Sequence, residues 1–139
     1  MYGNTEQMAE TIAASLADNG VKNIIMHNVS KSDASYVLRD LFKYKAVILG
    51  SPTYCNQLYP EIDSILQKIE VREVKNRLFA YFGSFSWAGA AVKRLAAFGE
   101  KMQWTVVGEP VESKQALKAD KYDACWALGK SMAEKLAEK

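Results

Sequence analysis

Three short stretches combine small residues with hydroxyls and amides: Met1-Tyr2-Gly3-Asn4-Thr5, Gly50-Ser51-Pro52-Thr53-Tyr54 and Gly83-Ser84-Phe85-Ser86-Trp87. The second and third follow apolar runs, Ala46-Val47-Ile48-Leu49 and Leu78-Phe79-Ala80-Tyr81-Phe82, and all three lead toward helix-like patterns. A strand-to-helix turn of this composition brings hydroxyl and backbone N–H donors together at a helix N-terminus, which is what a phosphate requires. Gly3, Asn4 and Thr5 are the candidate phosphate donors. Ser51 and Thr53 add hydroxyls, Pro52 stiffens its turn, and Tyr54 offers a flat face. In the third stretch Ser84 and Ser86 add donors and acceptors, Phe85 and Trp87 add planes, and Gly83 and Gly89 permit close backbone approach. Two aromatic-bearing loops beside a phosphate loop suit a ligand with one phosphate end and one large planar end.

Other chemistries find little support. The single histidine, His27, has no HxxxH, HxE or DxD cluster around it, so no metal centre is expected. Cys55 and Cys125 are far apart and without CxxC spacing, which suggests reduced thiols rather than a disulfide framework or zinc site. Cys55 lies in the second loop, yet no His or basic residue stands near it in sequence, and it reads as a bystander. Lys and Arg (18) are interspersed with Asp and Glu (16), giving a net charge of +2 without a basic stripe, so nucleic acid is not the expected partner. No apolar run approaches the roughly 20 residues that span a bilayer. A cytoplasmic protein without a membrane partner is expected. The 139 residues, 49% hydrophobic, suffice for one domain over 1–139 and are too few for two.

The elements that position the loops follow from apolar periodicity. Met8, Ile12 and Leu16 mark a first helix stopped by Asn19-Gly20. Asn23 to Val29 predicts a strand, and Ser32-Asp33 caps a helix whose inward face is Val37, Leu38, Leu41 and Phe42. Ala46–Leu49 and Leu78–Phe82 are continuous apolar runs, the mark of parallel strands buried on both faces. Between them Pro60 opens a helix with Ile62, Ile65, Leu66 and Ile69 on one side. Ala91, Leu95, Phe98 and Met102 predict a helix broken near Gly99, Trp104 to Val107 a short strand, and Glu109 to Asp120 a polar connection. A last helix carries Cys125, Leu128, Met132 and Leu136 inward. Alternating helices and strands predict an α/β sandwich of three layers around a parallel sheet.

A flavin mononucleotide has the phosphate and planar ends that the loops suit, and here the chain resembles the flavodoxin-like family. Tyr2-Gly3-Asn4-Thr5-Glu6 is similar to the end of the flavodoxin phosphate loop, whose pattern is Ser or Thr, any residue, Thr, Gly, any residue, Thr. Gly50-Ser51-Pro52-Thr53 and Gly83-Ser84-Phe85-Ser86-Trp87-Ala88-Gly89 resemble the later flavin loops, above all those in the C-terminal flavodoxin domain of the A-type flavoproteins, the flavodiiron proteins. The resemblance implies FMN as cofactor and sheet order 2-1-3-4-5. It implies that Gly3, Asn4 and Thr5 hold the phosphate, and that Ser51, Pro52, Thr53 and Tyr54 line the ribityl chain and ring edge. It also implies that Gly83, Ser84, Phe85, Ser86 and Trp87 lie against the ring, and that backbone near Cys55-Asn56-Gln57 faces the flavin N5. The first strand of that fold is absent, with the leading Ser or Thr of its loop, and Tyr2 stands where many flavodoxins have Thr. The gap implies a four-stranded closure, an edge inserted by another chain such as a homodimer partner, or poor folding alone.

The implied function is FMN-dependent electron transport to or from a redox partner protein. Two alternatives are a flavin-dependent NAD(P)H:quinone-type oxidoreductase, with Glu109 to Asp120 seating a second substrate, and a truncated non-catalytic relative binding FMN weakly or not at all.

Overall fold

The structure, a computed structural model, describes residues 2–29, 31–54, 57–85, 90–114 and 119–138. Strand β3 (Leu78–Phe85) divides two apolar cores, because a strand sends successive side chains to opposite faces. Leu78, Ala80 and Phe82 enter one core, where α1 (Tyr2–Asp18) contributes Met8, Ile12 and Leu16 and α5 (Ala119–Ala137) contributes Cys125, Leu128 and Met132. Phe79 and Tyr81 enter the other, with Leu38 and Leu41 of α2 (Ala34–Lys43), Ile62 to Ile69 of α3 (Pro60–Val71), and Leu95, Phe98 and Met102 of α4 (Ala91–Met102). The result is the expected three-layer α/β sandwich. Phe42, expected inward, is exposed, because it lies a further 100° around α2 from the buried Leu41.

Among the described residues the sheet has five strands. β1 (Ala46–Tyr54) runs parallel to β3 in a register from Ala46 opposite Leu78 to Pro52 opposite Ser84. On the far side of β3, β4 (Thr105–Val106) pairs its beginning and β5 (Val111–Lys114) pairs its end, both parallel. β2 (Gln57–Leu58) folds back antiparallel on the last residues of β1. The described strands therefore form the 3-4-5 half of the implied 2-1-3-4-5 order, with β4 and β5 sharing the outer position. The polar connection expected from Glu109 to Asp120 contains β5, whose Val111 and Ser113 are buried.

Three further expectations are corrected. Residues 21–28 form no strand, although Asn23 to Val29 has strand composition, because among the described residues no neighbouring strand lies against them to make a ladder. The first stretch is not a loop: α1 begins at Tyr2, so Gly3, Asn4 and Thr5 are already helical. α4 runs unbroken through Gly99, which serves close packing rather than termination: a Cβ there would lie 2.7 Å from the Phe79 ring. Phe79, Phe98 and Trp104 pack edge to face around that spot, and the buried Trp104 indole donates to the Val74 carbonyl at 2.9 Å.

Local signals were otherwise obeyed. Asp33 caps α2 by accepting from the Ser35 amide, Pro60 occupies the first turn of α3, and Gly20 follows α1 at φ +93°, a conformation that excludes most other residues. Asp40 on α2 meets the His27 ring at 2.6 Å, and Arg39 and then His27 hold its carboxyl below the usual range.

The α1–α5 contact depends on Gly129. A Cβ there would lie 2.7 Å from Ser15 Cβ and 2.8 Å from the Ile12 carbonyl oxygen, beside the Ser15 hydroxyl that donates to the Trp126 carbonyl at 2.5 Å. Alanine would add about 1 kcal/mol of helix propensity, but overpacking against a backbone oxygen costs about 1–3 kcal/mol and forces the helices apart. Gly129→Ala should therefore lower the urea denaturation midpoint, and a variant as stable as the parent would contradict this packing.

Candidate functional site

The carboxyl ends of β1 and β3 and the first turns of α1 meet at one edge of the sheet. Thr5 Oγ1 and Ser84 Oγ lie 2.7 Å apart, joining the start of α1 to the end of β3 across most of the chain. Ser84 is 2% exposed and stands opposite Pro52 in the β1–β3 register, so all three stretches converge there. The convergence follows from the parallel sheet: every strand that points the same way delivers its following turn to the same edge.

Each hydroxyl has a defined task. The Ser51 hydroxyl is fully buried; it donates to the Pro52 carbonyl at 2.7 Å and accepts from the Tyr59 amide at 3.0 Å, which closes the β1–β2 turn on itself. Thr53 Oγ1 accepts from the amides of Ala90 and Ala91, both at 3.1 Å. Those amides open α4, whose N-cap residue, Ala90, has no side chain able to cap it. Thr53 thus caps a helix 37 residues further on and locks the second stretch to the third. Gly83 belongs to the same lock: a Cβ would lie 3.1 Å from both the Ser51 carbonyl oxygen and Ala91 Cβ.

The expected site residues fall into three groups. Thr5, Ser51, Pro52, Thr53, Gly83 and Ser84 are brought together as described, with Phe85 half-buried at the end of β3. Gly3 and Asn4 lie in the first turn of α1, and Tyr54 ends β1. Asn56, Ser86 and Trp87, with Cys55 and Gly89, lie outside the described residues. The amides of Ala90 and Ala91 were not anticipated, and no residue type signals them; their role comes from Thr53.

The edge suits an anion at α1 and a neutral ligand body elsewhere. α1 has 17 residues with no acidic residue in its first turn, so its positive dipole end is not cancelled locally. The donors near it are a hydroxyl pair and helix-terminal amides, the set that binds phosphate at helix N-termini. Among the described residues no group of three His, Cys, Asp or Glu could hold a metal ion. Burial pushes the Cys125 thiol up to about 11, on α5 within the α1-side core, where it stays protonated and packs as an apolar residue.

Comparison with known proteins places the chain in a family. The flavodoxin family model matches residues 1–129. The chain belongs to the flavodoxin family. A flavodoxin domain is a flavin-binding, electron-transferring unit, and the donor set at α1 fits the phosphate end of such a ligand. A nitric oxide reductase of Moorella thermoacetica is 27% identical over 139 residues, 99% of this chain and 35% of its own length. The anaerobic nitric oxide reductase flavorubredoxin of Escherichia coli is 32% identical over 97 residues, 69% of this chain and 20% of its own length. Rubredoxin oxygen:oxidoreductase from Desulfovibrio gigas superposes with a TM-score of 0.92 at 29% identity, over 99% of this chain and 35% of that one. Flavodoxin 1 from Bacillus cereus, at 24% identity and TM-score 0.84 over 99% of this chain and 94% of its own, shares the fold. This flavodoxin chain spans about a third of the length of the first curated relatives that it matches. Among its described residues no helix is long and apolar enough to cross a membrane.

If Thr53 is the cap of α4, Thr53→Val should cost about 0.5–2 kcal/mol in the ligand-free protein, and Thr53→Ser should recover most of it. Equal stabilities for the valine and serine variants in chemical denaturation would show that the two hydrogen bonds do no capping.

Proposed function

We propose that this chain is an FMN-binding module that exchanges electrons with a protein redox partner in the cytoplasm, as a single flavodoxin domain over 1–139. The Thr5–Ser84 hydrogen bond carries this reading, because it sets the N-terminus of a long helix against the end of the central strand. Gly3, Asn4 and Thr5 would hold the phosphate by first-turn amides and the Thr5 hydroxyl. Ser51, Pro52, Thr53, Tyr54 and Asn56 would line the ribityl chain and ring edge, and Gly83 to Trp87 would lie against the ring. FMN, when bound, supplies the redox chemistry.

The residues of the chain supply position. Ser51, with both hydrogen-bonding roles of its hydroxyl used inside the protein, fixes the backbone of its turn and acts as a positioning residue. Thr53, through Ala90 and Ala91, holds the third stretch beside the second. Two relatives carry rubredoxin in their names, one a flavorubredoxin and one a rubredoxin oxygen:oxidoreductase. A small iron–sulfur electron carrier of that class is therefore the proposed partner type.

Titration of the purified chain with FMN and with riboflavin, followed by flavin fluorescence, tests the assignment. One FMN should bind per chain, with riboflavin held more weakly because it lacks the phosphate. Thr5→Val removes a hydroxyl from a charged acceptor, a loss of about 1.5–3 kcal/mol, so FMN affinity should fall by about tenfold to a hundredfold while riboflavin affinity stays unchanged. Failure to take up FMN, or equal affinity for FMN and riboflavin, would refute the proposal.

A further inference from the structure

Lys and Arg are interspersed along the sequence, but the fold sorts them. α2 leads into β1, α3 into β3 and α4 into β4, and these strands are parallel, so all three helices end at the amino edge of the sheet, opposite the candidate site. The joints there lie side by side: the Leu78 amide donates to the Lys45 carbonyl and the Thr105 amide to the Arg77 carbonyl, both at 3.0 Å. Six cations stand on these joints, Lys43, Lys45, Arg72, Lys75, Arg77 and Lys101, against three carboxylates, Glu70, Glu73 and Glu100. Cations at helix C-termini complement the dipole, but Lys45, Lys75 and Arg77 lie outside the helices and gain nothing of that kind.

Two of these charges are committed within the protein. The Arg77 guanidinium donates to the Leu41, Phe42 and Lys75 carbonyls, which fastens the end of α2 to the start of β3, and Lys101 on α4 pairs with Glu70 on α3. Lys43, Lys45, Arg72 and Lys75 are exposed, and among the described residues none of the four makes an ion pair. Two of them adjoin an exposed apolar side chain. Phe42, before Lys43, is 54% exposed, and Val71, before Arg72, is 79% exposed. Either alone is ordinary on a protein surface; the two stand at the ends of neighbouring helices on the edge where the unpaired cations gather.

We propose that this amino edge docks on an anionic phospholipid surface, with Lys43, Lys45, Arg72 and Lys75 among the headgroup phosphates and Phe42 and Val71 at the boundary with the acyl chains. The unpaired cations supply the attraction. Lysines on flexible stems follow a fluid array of phosphates without a preset geometry, and apolar side chains among them gain by leaving water. The other anionic surfaces fit less well. A nucleic acid would meet the cations, but Val71 has no flat face to stack on a base. An acidic protein would present carboxylates at fixed positions, which calls for cations held in fixed positions in turn. Docked in this way, the chain turns its carboxyl edge away from the lipid, so the proposal neither needs a bound flavin nor covers the candidate site.

Co-sedimentation of the purified chain with vesicles tests this, using phosphatidylcholine alone and phosphatidylcholine mixed with phosphatidylglycerol. The chain should bind the mixed vesicles, bind them less as salt rises because the charges are exposed, and leave the neutral vesicles unbound. Lys43→Gln combined with Lys45→Gln should lower the partition coefficient about twentyfold to thirtyfold, at about fivefold per cation. The same change of charge at the opposite edge, Lys93→Gln with Arg94→Gln in the first turns of α4, should leave binding as in the parent. Phe42→Ser should weaken binding while leaving its salt dependence unchanged, and the urea midpoint of each variant shows that it is folded. Equal binding to neutral and mixed vesicles, or equal loss in the two double variants, would overturn the proposal. So would binding to duplex DNA or to polyglutamate without binding to the mixed vesicles, because the edge would then serve a nucleic acid or an acidic protein.

Discussion

Backbone N–H and C=O groups in the interior must be paired, and the layout of this molecule follows from where that pairing is complete. β3 satisfies the requirement on both edges and is consequently buried along its length, with one core on each face. Among the described residues β1 meets it along one edge with β3, and on the other only at Thr53 and Tyr54 with β2. From this single asymmetry follow the incomplete burial of Val47, Ile48 and Leu49, the cavity beside them, and the failure of residues 21–28 to become a strand despite suitable composition. The helical layers hold because α1 packs on α5 and β3 in one core.

The same parallel pairing explains why the candidate site lies at one edge. A parallel ladder from Ala46–Leu78 to Pro52–Ser84 carries two chain segments to one end of the sheet in step. There the hydroxyls are used to fasten segments to one another: Ser51 to its own turn, Thr53 to α4, and Thr5 to Ser84. These bonds fix backbone, and in the proposed reading the fixed backbone and the α1 dipole would together hold a flavin phosphate. A cavity of about 800 Å³ forms a slot along β1 and residues 21–29, and its lining includes Thr5, Gly50 and Pro52 of this edge.

Much of this was legible in the residues. The runs at 46–49 and 78–82 marked both parallel strands, Met8, Ile12 and Leu16 marked the buried face of α1, and Asp33 and Pro60 marked two helix starts. Where reading failed, the deciding partner was distant. Thr53 meets its amides 37 positions away, and Gly99 is explained only by the Phe79 ring from another element. β5 was hidden because Val111-Glu112-Ser113-Lys114 is short and half polar, and only its pairing with β3 makes it a strand. Residues 23–29 erred the other way: composition favoured a strand, and the absence of a neighbour prevented one.

The most direct test of the account is a map of FMN contacts by amide chemical shifts on isotope-labelled protein. The largest changes should cluster at Thr5, Thr53, Ser84, Ala90 and Ala91, the residues that the carboxyl edge brings together. Changes centred instead on Leu78 and Thr105 at the opposite edge, or on Ile24 and Ile48 along the slot, would contradict it.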